Sequence, residues 1–227
     1  MRALPFLFFV LSGFLMALQS LGQSNRLNHW WQYSGSYWIN PQWAVTAHLQ
    51  YRSYQLFKDP RVGYVGGEVQ HAFKDVPISL GAGYAHLFNR NYVTEEETEL
   101  THENRLYQNL TLRGSVGGVG ISHRYQVEER WLRQGYHTRL RYQLALRIPL
   151  GPKEQEERPW YGILRNEVRV IIRDQPFDSN RVYGGLGYTF NKHFTLEGMW
   201  MSQLVGRGGN HVHFTMFVLR HDFGRME

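Results

Sequence analysis

The chain has 227 residues, with 25 Lys+Arg against 19 Asp+Glu for a formal charge of +6 and a sequence pI near 9.6, which fits one or at most two domains and excludes an acidic solvated tail. Aromatic residues reach 15% while hydrophobic ones total only 42% and the mean hydropathy is −0.46, more rings than a soluble core of Leu, Ile and Val calls for. With no cysteine there is no disulfide framework, thiolate zinc site, iron–sulfur cluster or cysteine nucleophile.

The chain starts Met1-Arg2, runs apolar from Leu4 to Leu18 and continues Ser20-Leu21-Gly22. A basic start, a short apolar stretch and a small-x-small end are the parts of a secretory signal peptide, whereas a helix crossing a bilayer needs about 20 apolar residues. The expected division is therefore a signal peptide over 1–22 and a mature domain over 23–227, with an uncleaved anchor as the alternative. Nothing after residue 22 is apolar for the length of a spanning helix. That leaves an exported soluble fold or a β-barrel, the other architecture that satisfies its backbone in lipid.

From Gln23 on, the pattern has period two and no sustained helical stripe. A weak strand over Trp31 to Ile39 ends at Asn40-Pro41. Trp43 to Arg52 sets Val45, Ala47, Leu49 and Tyr51 against Thr46, His48, Gln50 and Arg52. Weaker strands follow over Gly63 to Phe73 and Ile78 to Phe88, around turn residues at Asp59-Pro60 and Asp75-Val76-Pro77. Glu103 to Gly114 sets Leu106, Leu110 and Leu112 against Arg105, Tyr107, Asn109 and Arg113, and after Gly117-Gly118 the segment Val119 to Arg130 repeats the code with Ser122, Arg124, Gln126, Glu128 and Arg130 on the polar side. The clearest strand is Thr138 to Leu150, with Leu140, Tyr142, Leu144, Leu146, Ile148 and Leu150 opposite Arg139, Arg141, Gln143 and Arg147. Trp160 to Arg173, Arg181 to Phe190, Phe194 to Leu204 and His211 to Phe223 complete the series, with turns at Gly151-Pro152 and Asn191-Lys192.

A soluble sandwich also alternates, so the content of the polar side decides. It repeats Arg105, Arg113, Arg124, Arg139, Arg141, Arg165, Arg169 and Arg181, with Glu68, Glu128, Glu167 and Glu197 as partners. Arg keeps its charge and pairs bidentately, which suits a crowded lumen. Trp30, Trp31, Tyr37, Trp38, Trp43, Tyr54, Trp131, Tyr136, Trp160, Tyr161, Tyr188 and Trp200 gather near strand ends, as the girdles of a membrane barrel do. The expected fold is all-β: a closed antiparallel transmembrane β-barrel of 10–12 strands. Long connections are expected at Asn89 to His102, Trp131 to His137, Asp174 to Asn180 and Val205 to Asn210, alternating with short ones. Counting back from the last strand makes Trp31 to Ile39 run inward from outside, so an even count is expected, with a further strand within Arg26 to Trp38 or one segment fewer.

Four motifs resemble a known family. His123-Arg124-Tyr125-Gln126-Val127-Glu128-Glu129-Arg130, Arg139-Leu140-Arg141-Tyr142, Asn166-Glu167 and Asn180-Arg181-Val182-Tyr183-Gly184-Gly185-Leu186-Gly187-Tyr188 resemble the "HRxRxEqR", "RxRY", "nE" and "nRxyxGlGY" signatures of domain of unknown function 2490 (DUF2490). The resemblance runs from about Trp31 to Phe223, and this chain departs from it by the doubled Glu128-Glu129. It implies a small bacterial outer-membrane β-barrel and a Gram-negative outer-membrane address; it implies no activity.

On the residues themselves, Arg124, Glu128, Arg139, Arg141, Glu167, Arg169 and Arg181 share the inward parity of neighbouring strands and are expected to form an ion-pair network. Gly184-Gly185 and Gly187 would make room for its guanidinium groups or for curvature. The network either fills and stiffens the barrel or gives a narrow pore that passes small anionic solutes.

Other chemistry is weaker. Glu95-Glu96-Glu97-Thr98-Glu99, with His102 and Glu103, could hold a divalent cation against lipopolysaccharide phosphates but reads as a solvated charge run. His211 and His213 share a face, with His221 further on, and no fourth metal ligand follows. A lipid A or phospholipid hydrolase would need a Ser–His pair on the outer rim; Ser122 and His123 point apart, and Ser202 has no base evident in the sequence. No catalytic residue, metal or cofactor is expected. The expected partners are outer-membrane lipids, lipopolysaccharide and, during biogenesis, the barrel-assembly machinery that reads a terminal aromatic such as Phe223; a surface binding module is a further alternative, and nucleic acid is not expected.

Overall fold

The computed structural model describes residues 27–94, 96–151, 159–172, 176–206 and 210–225; the expected signal peptide lies outside them. Strands β1 (Asn28–Trp38), β2 (Trp43–Gln55), β3 (Lys58–Ala72), β4 (Ile78–Tyr92), β5 (Thr98–Val116), β6 (Val119–Leu132), β7 (Gly135–Pro149), β8 (Trp160–Ile171), β9 (Phe177–Thr189), β10 (Phe194–Val205) and β11 (Asn210–Gly224) close into one barrel in chain order. Each segment read from its period of two is one of these strands.

The expectation of an even count is corrected. Every consecutive pair is antiparallel, but β1 and β11 lie side by side in parallel, from Asn28 opposite Phe214 to Trp38 opposite Gly224. An odd number of up-and-down strands leaves the first and last pointing the same way, and a parallel ladder satisfies their backbones as an antiparallel one would. No sheet edge is left open. Stepping from strand to strand across the register returns to β1 displaced by about 14 residues, a stagger that goes with strands tilted at about 35–45° to the axis.

The upper end of the barrel carries the N-terminus of β1 and the β2–β3, β4–β5, β6–β7, β8–β9 and β10–β11 connections; the lower end carries the rest. At the lower end Gly117 and Gly118, both at positive φ (59° and 84°), form the two-residue turn that a twisted hairpin requires. Asn40 Oδ1 accepts the backbone N–H groups of Gln42 and Trp43, and Asn191 Oδ1 those of His193 and Phe194, so each Asn closes its own turn. The expected alternation of long and short connections does not hold. β4, β5, β6 and β7 continue through most of the predicted upper loops, so that β6 and β7 are joined by Arg133-Gln134 alone, and the β2–β3 turn falls at Leu56-Phe57 rather than at Asp59-Pro60.

Side chains divide by parity as the pattern requires. Val45, Leu49, Val65, Val69, Leu80, Leu106, Tyr125, Val127, Leu140, Leu164, Val182, Leu186, Leu196 and Leu219 are exposed on the outside. Rings ring that face at both ends: Trp31 stacks between Phe57 and Phe217 and Trp131 lies against Tyr136 above, while Trp160, Tyr188 and Phe190 cluster below. Three expected girdle residues are misplaced: Trp38 faces inward at the lower rim, its Nε1 donating to Asp222 Oδ1 at 3.4 Å, and Trp30 and Tyr161 point inward and are buried. Trp30 and Tyr161 belong to an apolar cluster on the inner wall with Ile163, Tyr183, Met199, Met201, Phe214, Met216 and Val218, and Val62, Ala85, Leu87 and Tyr107 form a smaller cluster elsewhere on that wall.

Candidate functional site

The two apolar clusters narrow the lumen, and charged side chains fill what they leave. Two cavities result, about 640 Å³ toward the lower end and about 440 Å³ toward the upper. Arg52, Arg105, Arg139, Arg169 and Arg181 line both, so these five arginines form the waist between them.

All seven residues singled out from the sequence lie on the inner wall of β6 to β9. Glu128 accepts Arg139 Nε at 2.7 Å and Arg141 Nη1 at 2.6 Å; Glu167 accepts Arg141 Nη2 at 2.6 Å and Arg181 Nη1 at 3.4 Å. Arg124 reaches Glu167 only at 3.8 Å and stays partly open to the lower cavity. Asp178 joins the other end, 3.4 Å from Arg139 and 3.3 Å from Arg169, whose Nε donates to Ser179 Oγ at 2.6 Å. One alternating chain thus runs Arg169, Asp178, Arg139, Glu128, Arg141, Glu167, Arg181. Glu167 is 0% and Glu128 1% exposed, so at the waist the carboxylates are sealed inside their partners.

Two further clusters lie on the inner wall; the sequence reading offers Arg165 and Glu197 for one of them and misses Glu103 for the other. Above the waist Glu103 is gripped by Arg105 and Arg130, through Oε1 and Oε2 in both cases. The signal is present, since Glu103 shares the parity of Arg105, but it stands beside an acidic run that masks it. Below the waist Glu197 accepts Arg165 at 2.6 Å, Arg220 at 3.3 Å and the Tyr161 hydroxyl at 3.2 Å. Glu68, expected as an arginine partner, instead accepts Asn109 Nδ2 at 2.9 Å. The glycines of β9 make room for other groups than expected: a Cβ at Gly185 would meet Gly198 O and Met199, and one at Gly187 the Tyr161 ring.

The two breaks in register, at Arg52/Ser53 and Arg169/Val170, both fall at waist arginines. The extra residues are Arg61 of β3 and Asp178 of β9; a bulge bends its strand and re-aims the side chain beside it, and here it brings Arg61 to the upper cavity and Asp178 to the waist arginines.

The alternative sites do not assemble. Glu95 lies outside the described residues, Glu99 pairs with Arg133 at 3.0 Å, and His102 turns outward to His86. The His211 and His213 rings stack at 6.3 Å, but His221 lies at the other end of β11 against Phe194. Among the described residues no three of His, Asp and Glu are grouped to hold a metal ion. Ser202 Oγ lies 3.5 Å from His211 Nδ1 on the outer face, a neighbour the sequence did not reveal. The backbone around Ser202 is paired with both β9 and β11, which ties up the N–H groups an oxyanion would need.

The family described as "Protein of unknown function (DUF2490)" matches residues 27–213, and the chain belongs to that family. No curated protein and no solved structure matches it.

Proposed function

We propose that this DUF2490 protein is an outer-membrane β-barrel whose lumen is closed at the waist by an arginine–carboxylate network, a structural barrel that passes small anions at most slowly between its two vestibules. The observation that carries the reading is the division of the wall: aliphatic residues with aromatic rings at both ends outside, and eleven arginines against five carboxylates around the lower cavity inside. An apolar band on a closed sheet suits acyl chains, and an excess of fixed positive charge in a narrow, low-dielectric passage attracts anions and repels cations. Outer-membrane lipids and lipopolysaccharide would cover the outer face, and Phe223 near the end of β11 would serve the assembly machinery.

Two measurements test this. The polypeptide 23–227 should fractionate with outer membranes and show heat-modifiable gel migration, and a folded, monodisperse protein in plain buffer would overturn the membrane reading. In planar bilayers the wild type should give small, anion-preferring conductance or none. Arg139→Ala should enlarge the conductance and weaken the anion preference by opening the waist. A large cation-selective conductance that persists in Arg139→Ala and Arg141→Ala would overturn the closed, anion-attracting lumen. Identical lipid A mass spectra from cells with and without the protein are expected; a change in acylation would favour the hydrolase alternative at Ser202 and His211.

A further inference from the structure

Charge at the waist is neutralised unevenly. Arg105, Arg139, Arg169 and Arg181 each have a carboxylate within ion-pair distance, but among the described residues Arg52 has none. Its Nη2 donates to Gln50 Oε1 at 2.8 Å, its guanidinium carbon lies 3.6 Å from the centroid of the Trp30 ring, and its Nε is buried with no hydrogen-bond partner. Arg181 lies over the same ring at 5.3 Å, its Nε spent on Gln203 Oε1 and its Nη1 only 3.4 Å from Glu167. Arg61 lines the upper cavity with them, 5.6 Å over the Phe214 ring, donating to Asn28 Oδ1 at 3.2 Å.

Two guanidinium groups on one indole, with a third beside them and one carboxylate that reaches only Arg181, repel one another. Each planar fork is matched to the oxygens of a phosphate, and a doubly charged tetrahedral anion can accept from all three. Arg105, Arg130, Arg139, Arg141 and Arg165 are each met by a glutamate; among the described residues no carboxylate lies within ion-pair distance of Arg52 or Arg61.

We propose that the floor of the upper vestibule is a phosphate-binding site in which Arg52, Arg181 and Arg61 hold the anion, the first two backed by the Trp30 ring. The closed sheet separates this floor from the outer face, so the ligand is water-soluble, either inorganic phosphate or the phosphate end of a small phosphomonoester. A cavity of about 440 Å³ has room for the latter. The inference rests on the anion-attracting lumen proposed above and gives it a ligand.

The test is isothermal titration calorimetry of the folded polypeptide 23–227 in zwitterionic detergent, at constant ionic strength in chloride, with inorganic phosphate and glycerol 3-phosphate as probes. Saturable one-site binding is expected for the wild type. Arg52→Gln should weaken it by about tenfold or more, the loss of a charge-assisted pair of hydrogen bonds. Arg147→Gln makes the same charge change in the lower cavity and should leave binding intact. Heat-modifiable migration shows which variants fold; if Arg52→Gln does not, Arg61→Gln carries the test with the same expected weakening. The absence of saturable heat in the wild type, or equal weakening by Arg147→Gln, would overturn the site. Tighter binding of glycerol 3-phosphate than of phosphate would identify the phosphomonoester as the ligand, and the reverse the free ion. Anion-selective conductance without phosphate binding refutes the site and leaves the passage; phosphate binding without conductance refutes the passage and leaves the site.

Discussion

Glu128 is the residue on which the waist depends most. It is 1% exposed and accepts Arg139 through Nε at 2.7 Å and through Nη2, Arg141 Nη1 at 2.6 Å and Gln126 Nε2 at 2.9 Å. Glu128→Ala leaves Arg139, 4% exposed, with only Asp178 at 3.4 Å, while Arg141 keeps Glu167 at 2.6 Å. Hydrogen bonds to charged groups contribute about 1.5–3 kcal/mol each, but Arg141 keeps a partner and the losses do not add. The governing cost is a buried guanidinium left without its anion, about 3–5 kcal/mol. Glu128→Gln keeps the shape and one acceptor oxygen and should cost less, about 1.5–3 kcal/mol. Glu128→Met with Arg139→Met removes both charges and should recover most of the loss, since apolar replacements of buried pairs are often neutral. The assay is urea-dependent unfolding of the detergent-folded barrel, followed by tryptophan fluorescence and by gel migration, as a double-mutant cycle. A Glu128→Ala cost below about 1 kcal/mol, or a double variant no more stable than the worse single one, would refute the claim that this pair is desolvated and mutually dependent.

Leu164 is exposed at mid-strand on the outer face of β8, whereas Val116 is exposed beside the lower turn; Leu164→Arg should cost about 2–4 kcal/mol of stability in vesicles and Val116→Arg about 0–1, and equal effects would argue against a bilayer around the middle of the barrel. Gly185→Ala should destabilise by about 1–3 kcal/mol in the same urea titration, because the new methyl meets a carbonyl oxygen that cannot rotate away, while Gly114→Ala, with nothing near its Cβ position, should be close to neutral. In a chain without cysteine, Tyr33→Cys with Leu219→Cys places thiols at paired positions across the parallel seam. Oxidation should cross-link them into a species that resists heat-induced unfolding on gels, and failure to cross-link in the folded state would refute closure by β1 and β11.

What could be read from the sequence was parity, and parity carried a long way. In a strand the side chains alternate strictly, so Arg139 and Arg141 had to face opposite to Leu140 and Tyr142 whatever the partner strands were. The same rule applied to Trp30 puts it with Gln32 and Ser34 inside, whereas Trp and Tyr at strand ends suggest a girdle by an argument that ignores the face. Asp178 was lost for a related reason. Asp174, Pro176 and Asn180 are turn formers and predict a loop, although β9 begins at Phe177 and carries Asp178 to the waist. The parallel closure was hidden by an assumption, since nothing in a strand pattern states how the first strand meets the last. The bulges at Arg61 and Asp178, opposite Arg52 and Arg169, leave no pattern of their own, because one extra residue in a strand is legible only against its neighbour's register. Parity therefore found the neutralised part of the lumen, where charges face each other on successive strands. It set Arg52 on the inward side as well, but it could not find Arg61, an extra residue whose inward aim depends on a bulge, nor the meeting of Arg52 and Arg181 on Trp30, which depends on closure between strands at opposite ends of the chain.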